Sequence, residues 1–279
     1  MSSKIIDPHV HFFNLSEGQY SWLQGNNPPS WPNLATIKQL ITPEQLAHSS
    51  DFTLAGLVHI EAGFDNLAPI HELNWLAKHL ANFKYKAISY ASIHQGNKQF
   101  SDALSELAHP RLVGIRDITE GDDAKRLLSA NCYRNLGVLR DLKLHFEAQF
   151  ELENSAVCQR VAQYAQQFKP LLIVINHAGL PRNMHAWQQG IALLAKHSNV
   201  VIKFSGFELL KLDSTQQAQC FNIILQHFGE QRVMFASNFP VCQINASYNQ
   251  RWHAHLSLCQ SANMWQQLSY TNAKHYYQV

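Results

Sequence analysis

Eight short runs rich in β-branched residues, each followed by a longer segment of helical periodicity, recur along 279 residues. This alternation predicts an α/β protein, a (β/α)8 TIM barrel, with an open doubly wound sheet as the competing topology. Length favours the barrel, because about 250 residues are what eight strand–helix units need. No repeat, charge block or linker divides the sequence, so residues 1–279 are expected to form a single domain.

The strand candidates are Lys4–Phe12, Thr53–Glu61, Lys86–Ile93, Leu112–Ile118, Leu142–Gln149, Leu171–His177, Val200–Ser205 and Arg232–Ser237. Between the first two lies an insertion, 14–40. Its Trp22, Gly25, Asn26, Asn27, Pro28, Pro29, Trp31 and Pro32 mark a long turn-rich loop, a lid over a ligand or a loop anchored by its own aromatic residues. Thr42-Pro43-Glu44-Gln45 reads as a capping box with proline at the first helical position, opening a short helix. Four apolar stripes at helical spacing should pack on the sheet: Ile70, Leu73, Leu76, Ala77 and Leu80; Val157, Val161, Tyr164, Ala165 and Phe168; Trp187, Ile191, Leu194 and Ala195; and Phe221, Ile224, Leu225 and Phe228. The last stripe ends at Gly229, a residue suited to the position after a helix.

Composition narrows the function. With 46% hydrophobic and 15% charged residues and a formal charge of +2, the chain should be a soluble globule without the basic stripe that nucleic acid or an anionic membrane requires. The five cysteines, Cys132, Cys158, Cys220, Cys242 and Cys259, are odd in number and contain no C-x-x-C, which argues against a disulfide framework and a thiolate zinc site. No run approaches about 18 apolar residues and no signal-peptide pattern opens the sequence, so a cytoplasmic location is expected.

In either α/β topology the chemistry belongs at the carboxyl ends of the strands, which ranks the polar residues. Alternation along the first strand puts His9 and His11 on one side, where two imidazoles can grip a divalent ion, polarise a carbonyl, or simply hydrogen-bond within a polar pocket. The second strand ends in His59 and Glu61, the third at His94 and the fourth carries Arg116. On the fifth, His145, Glu147 and Gln149 share a side. His177 follows an apolar sixth strand, Lys203 and Ser205 lie on the seventh, and Asn238 follows the eighth. The plain alternative for Glu61, Arg116 and Lys203 is an ion-pair network that closes the top of the barrel.

IIDPHVHFF, VHIEAG, GIRDI, VINHAGLP, VIKFSGFE and RVMFASNFPV, in that order, resemble the amidohydrolase superfamily, specifically its amidohydrolase-related branch of sugar-lactone and pyrone-dicarboxylate lactonases. The last residues, Tyr270 to Tyr277, are similar to that family's closing helix. The resemblance implies a distorted (β/α)8 barrel that hydrolyses a cyclic ester, or an amide, with water. It places His9, His11 and His177 at the family's strand-end histidines. Asn238 departs from it, standing where many members carry an aspartate that serves as ligand or base. An amide neither accepts a proton near neutral pH nor supplies a charge, though it can orient water. No fifth-strand lysine marks a two-metal centre. The implied cofactor is therefore none, or one zinc ion on His9, His11 and His177 with an open position.

The expected reaction is hydrolysis of a small sugar-derived or hydroxylated lactone. His9, His11, His177, Asn238 and Glu147 are the catalytic candidates, with Glu147 or His177 as general base and Glu61 in reserve. Arg116 and Lys203 would grip a carboxylate or hydroxyls, with His59, Gln149 and Trp22 also at the substrate. The alternatives are a metal-dependent amidase or decarboxylase on the same barrel, and a sugar-acid binding protein without catalysis. The expected partner is a small molecule, and a homo-oligomer is compatible with the sequence.

Overall fold

The computed structural model describes residues 3–47 and 49–279. Eight strands appear in chain order: β1 Lys4–Val10, β2 Thr53–Ile60, β3 Tyr85–Tyr90, β4 Leu112–Ile118, β5 His145–Gln149, β6 Ile173–Ile175, β7 Val200–Phe204 and β8 Val233–Phe235. They form one sheet in the order β1 to β8, with parallel ladders between neighbours and helices in the connections, which is a (β/α)8 barrel. All eight sequence runs are present, some shortened. The fifth starts at His145 because the preceding helix, Ala130–Leu142, persists through Leu142 and is stopped by Lys143 at φ 56°. The sixth shrinks to three residues because the backbone leaves the extended region by His177.

Contacts divide the chain into two compact units, Met1–Tyr90 with Met234–Val279, and Ala91–Val233. In the first unit β1 pairs with β2; the extra residue of β2 between Ile5–Leu54 and Ile6–Gly56 is offset by one extra residue of β1 between Asp7–Leu57 and Val10–His59. Pro8, which has no N–H for the ladder, falls in this bulge. The segment after β8 bridges back to β1 through Val10 and Phe239. The insertion 14–40 holds one short helix, Ser21–Gln24, and a 3-10 turn, Leu34–Thr36. It is tied down: Trp22 Nε1 donates to Ala62 O at 2.7 Å and Asn33 Nδ2 to Ile244 O at 2.9 Å. Thr42 and Gln45 exchange the expected capping hydrogen bonds at the start of helix Pro43–Ala47.

The helix stripes bury largely as their spacing predicts, with two corrections. In Ile70–His79 the buried residues are Glu72, Leu73, Trp75 and Leu76, whereas Ala77 is exposed. The covered face is turned toward Trp75, which packs on Phe64 with ring centroids 5.9 Å apart. In Ser214–Phe228, Leu225 lies at the margin of the buried face formed by Phe221, Ile224 and Phe228. Side-chain caps at Ser129, Asn154, Asn183 and Asp213 start four helices of the second unit. Gly229, at φ 70°, ends the last of these. The chain closes with a π-helical turn, Gln267–Thr271, and a short helix, Asn272–Tyr277. Among the described residues no helix is long and apolar enough to cross a membrane.

Candidate active site

In the second unit the strands β4 to β7 are largely apolar and buried, and the charged residues they carry, Arg116, Asp117, Glu147 and Lys203, are buried with them, whereas Ile118 at the end of β4 is exposed. Arg116 and Glu147 are register partners on β4 and β5. Glu147 Oε2 lies 2.8 Å from Lys203 Nζ, and neither side chain is exposed to solvent. Arg116 Nη1 donates to Gln149 Oε1 at 2.8 Å, so Gln149 is engaged with the guanidinium. His145 is pushed down to about 4 by burial, reinforced by Lys203. His177 is pushed down to about 3 by burial first, then by the positive charges of Arg116 and Lys203. It is therefore a neutral imidazole beside two cations, with Nδ1 3.1 Å from Ser205 Oγ.

The backbone around His177 is unusual. His177, Ala178 and Leu180 have φ of 54°, 52° and 53°, in the left-handed region that costs an L-residue about 1–2 kcal/mol. Gly206, at φ 81°, lies so close that a Cβ there would sit 2.3 Å from His177 Cβ. Consecutive left-handed residues at a strand end are the kind of strained geometry that clusters at functional sites.

In the first unit the rings of His9 and His11 are edge-on with centroids 5.0 Å apart, and His11 lies 6.4 Å from His59. His11 Nδ1 donates to Ile60 O at 2.8 Å, which fixes the ring against the end of β2. His59 Nε2 bonds Glu72 Oε1 at 3.0 Å, and the same oxygen accepts from Ala62 N at 2.8 Å. Glu61 is buried, its N–H donated to Ile88 O at 2.8 Å. Asn238 has φ 60°, a region that asparagine enters more readily than most residues. Its N–H donates to His9 O at 3.1 Å and its carbonyl accepts from Cys242 N at 3.0 Å. Trp22 packs beside Phe13 and Trp31, with centroids at 6.0 and 5.8 Å.

Sequence reasoning gave no role to Asp7, Glu72 or Glu120. Asp7 Oδ1 accepts from His9 N at 3.1 Å and from Ser237 N at 3.2 Å, tying β1 to the end of β8. Burial pushes its carboxyl up to about 6, against hydrogen bonds from Ser237, His9 and Tyr248. A signal for Glu72 existed: it lies four residues before Leu76, on the buried helical face. Glu120 Oε1 accepts from Gln149 Nε2 at 2.7 Å, a contact across 29 positions that no local spacing encodes.

Among the described residues no group of three or more His, Cys, Asp or Glu side chains is arranged to hold a metal ion. Asn238, an amide, adds no charge for a hard cation where a carboxylate would.

A parallel eight-stranded barrel with imidazoles, carboxylates and cations at its strand ends has the build on which barrel enzymes place their reactions. The amidohydrolase family model matches residues 6–277, and the chain belongs to that family. It is 28% identical to the uncharacterized protein y4mH of Sinorhizobium fredii, covering 90% of this chain and 89% of that one. It is 24% identical to an L-fucono-1,5-lactonase of Burkholderia multivorans, over 95% and 94% of the two chains. Among solved structures it is similar to an amidohydrolase from Burkholderia multivorans with bound zinc, at TM-score 0.80 and 20% identity over 99% and 100% of the chains. A 2,6-dihydroxybenzoate decarboxylase shares the fold at TM-score 0.64 and 13% identity, each chain fully covered.

Proposed function

We propose that this protein opens a small hydroxylated, sugar-derived lactone by attack of water on the cyclic ester. The observation that carries the reading is His177, held neutral and in strained backbone beside Arg116 and Lys203. Such a group suits the negative charge that develops on an ester carbonyl oxygen. The relationship to a protein named as an L-fucono-1,5-lactonase supports the same substrate class.

In this reaction the water oxygen bonds to the carbonyl carbon and the C=O pair moves onto oxygen. The oxyanion then collapses, the ring C–O bond breaks, and a proton from water ends on the departing alkoxide. We assign oxyanion stabilisation to Arg116, with Lys203 contributing field rather than contact because it is committed to Glu147. With Nδ1 accepting from Ser205, His177 Nε2–H donates to the carbonyl oxygen. Proton removal from water is assigned to Glu147, the buried carboxylate of the same unit, 2.8 Å from Lys203 Nζ. Gln149, bonded to Arg116, borders the substrate, and His9, His59, Trp22 and Asn238 of the first unit are each tested by substitution.

The test is a panel of five- and six-membered aldonolactones followed with a pH indicator, on protein of measured metal content. Turnover is expected with at least one lactone, and His177→Ala should lower kcat/KM by about a hundredfold, as for loss of one oxyanion donor. Turnover that survives His177→Ala unchanged refutes the assigned role. Activity that tracks bound metal, confined to amides or carboxylated arenes, refutes the lactonase reading.

A further inference from the structure

We infer that Glu120 is a positioning residue for Arg116, acting through the side-chain amide of Gln149. This rests on the reading of Arg116 as a substrate-facing cation given above. Arg116 Nη1 donates to Gln149 Oε1 at 2.8 Å, and Gln149 Nε2 donates to Glu120 Oε1 at 2.7 Å. The order is chemically forced. A guanidinium only donates and a carboxylate only accepts, so the amide has one orientation that satisfies both neighbours, and each end of the chain fixes the other.

Local backbone supports the placement. Thr119 gives both its N–H and its hydroxyl to Gln149 O, each at 3.0 Å, which seats the next residue, Glu120, beside the Gln149 side chain. The outer oxygen of Glu120 faces Arg182 Nη2 at 3.6 Å, and Arg182 is half exposed. The inner members are nearly sealed, with Arg116 4% and Gln149 7% exposed. An exposed ion pair is worth little by itself. The buried amide link is what converts the carboxylate's position into the guanidinium's. Glu120 thus reaches Arg116 through a neutral amide rather than by direct ion pairing.

The test compares Glu120→Ala with Glu120→Gln, which keeps an acceptor for Gln149 Nε2. Two readouts are taken. In the first, the side-chain NMR signals of Arg116, identified by their loss in Arg116→Lys, report rotation of the guanidinium. They should be slow in the parent and in Glu120→Gln, and averaged in Glu120→Ala. In the second, kcat for the best lactone should fall about tenfold in Glu120→Ala, with KM within about twofold, and recover in Glu120→Gln, because the oxyanion that Arg116 faces forms only in the transition state. Unchanged Arg116 signals in Glu120→Ala, or equal damage in both variants, overturn the inference. If the parent turns over no lactone, the functional reading fails by itself and the NMR readout alone decides the positioning role.

Discussion

Glu147 on β5 and Lys203 on β7, two strands apart in the sheet, meet at 2.8 Å with both side chains withdrawn from water. Such a pair contributes little net stability compared with an apolar replacement, yet breaking it strands a charge. Lys203→Met is therefore expected to lower unfolding free energy by about 3–5 kcal/mol, Glu147→Gln by less, and Lys203→Met with Glu147→Leu to recover much of the loss. Urea denaturation of the three variants checks this. Equal midpoints for the parent and Lys203→Met would show that the pair is not structural.

Gly206 has no room for a methyl group, because a Cβ would fall 2.3 Å from His177 Cβ and 2.5 Å from its Cγ, at φ 81°. Gly206→Ala should displace the imidazole and reduce lactone turnover by more than about tenfold, at a stability cost of about 2–4 kcal/mol from left-handed strain and overpacking together. Initial rates beside a thermal melt separate the two effects.

Asn238 stands at φ 60° with both backbone groups hydrogen-bonded. Glycine satisfies that backbone without strain, so Asn238→Gly should fold as well as the parent and lose activity by roughly tenfold if the amide orients water. Undiminished turnover would reduce Asn238 to a backbone role.

Acid should destabilise the fold. His145, His177 and His255 are held neutral by burial, down to about 4, 3 and 3, against 6.5 when unfolded. Asp7 acts oppositely, at about 6 against 3.8, so its contribution is present at low pH and lost as pH rises through 6. Between about pH 6 and 4 unfolding therefore takes up roughly two protons net. Stability falls with pH over that window, at roughly 1.4 kcal/mol per proton per pH unit. Urea midpoints measured from pH 7 to 4 should decline, with a shallower slope in His255→Gln. A flat profile would contradict the burial argument.

The sheet was legible in the sequence because buried parallel strands are continuous apolar runs, as in Ile173-Val174-Ile175, and because their helices carry stripes such as Trp187, Ile191 and Leu194. The strand-end residues were legible for the same reason: His59, Arg116, Glu147 and Lys203 interrupt or end runs that are otherwise apolar. What each side chain does was not legible. The pairing of Glu147 with Lys203, of His59 with Glu72 and of Gln149 with Glu120 arises from packing between elements, which spacing along one element does not report. The insertion 14–40 reads equally as a lid and as an anchored loop along the sequence, because the bond from Trp22 Nε1 to Ala62 O spans 40 positions.

The most direct test of the account is turnover of the preferred lactone in oxygen-18 water, with the product read by mass spectrometry. Attack of water on the ester carbonyl predicts one heavy oxygen in the new carboxylate and none in the released hydroxyl. Label in the hydroxyl, or a product formed by loss of carbon dioxide, would contradict it.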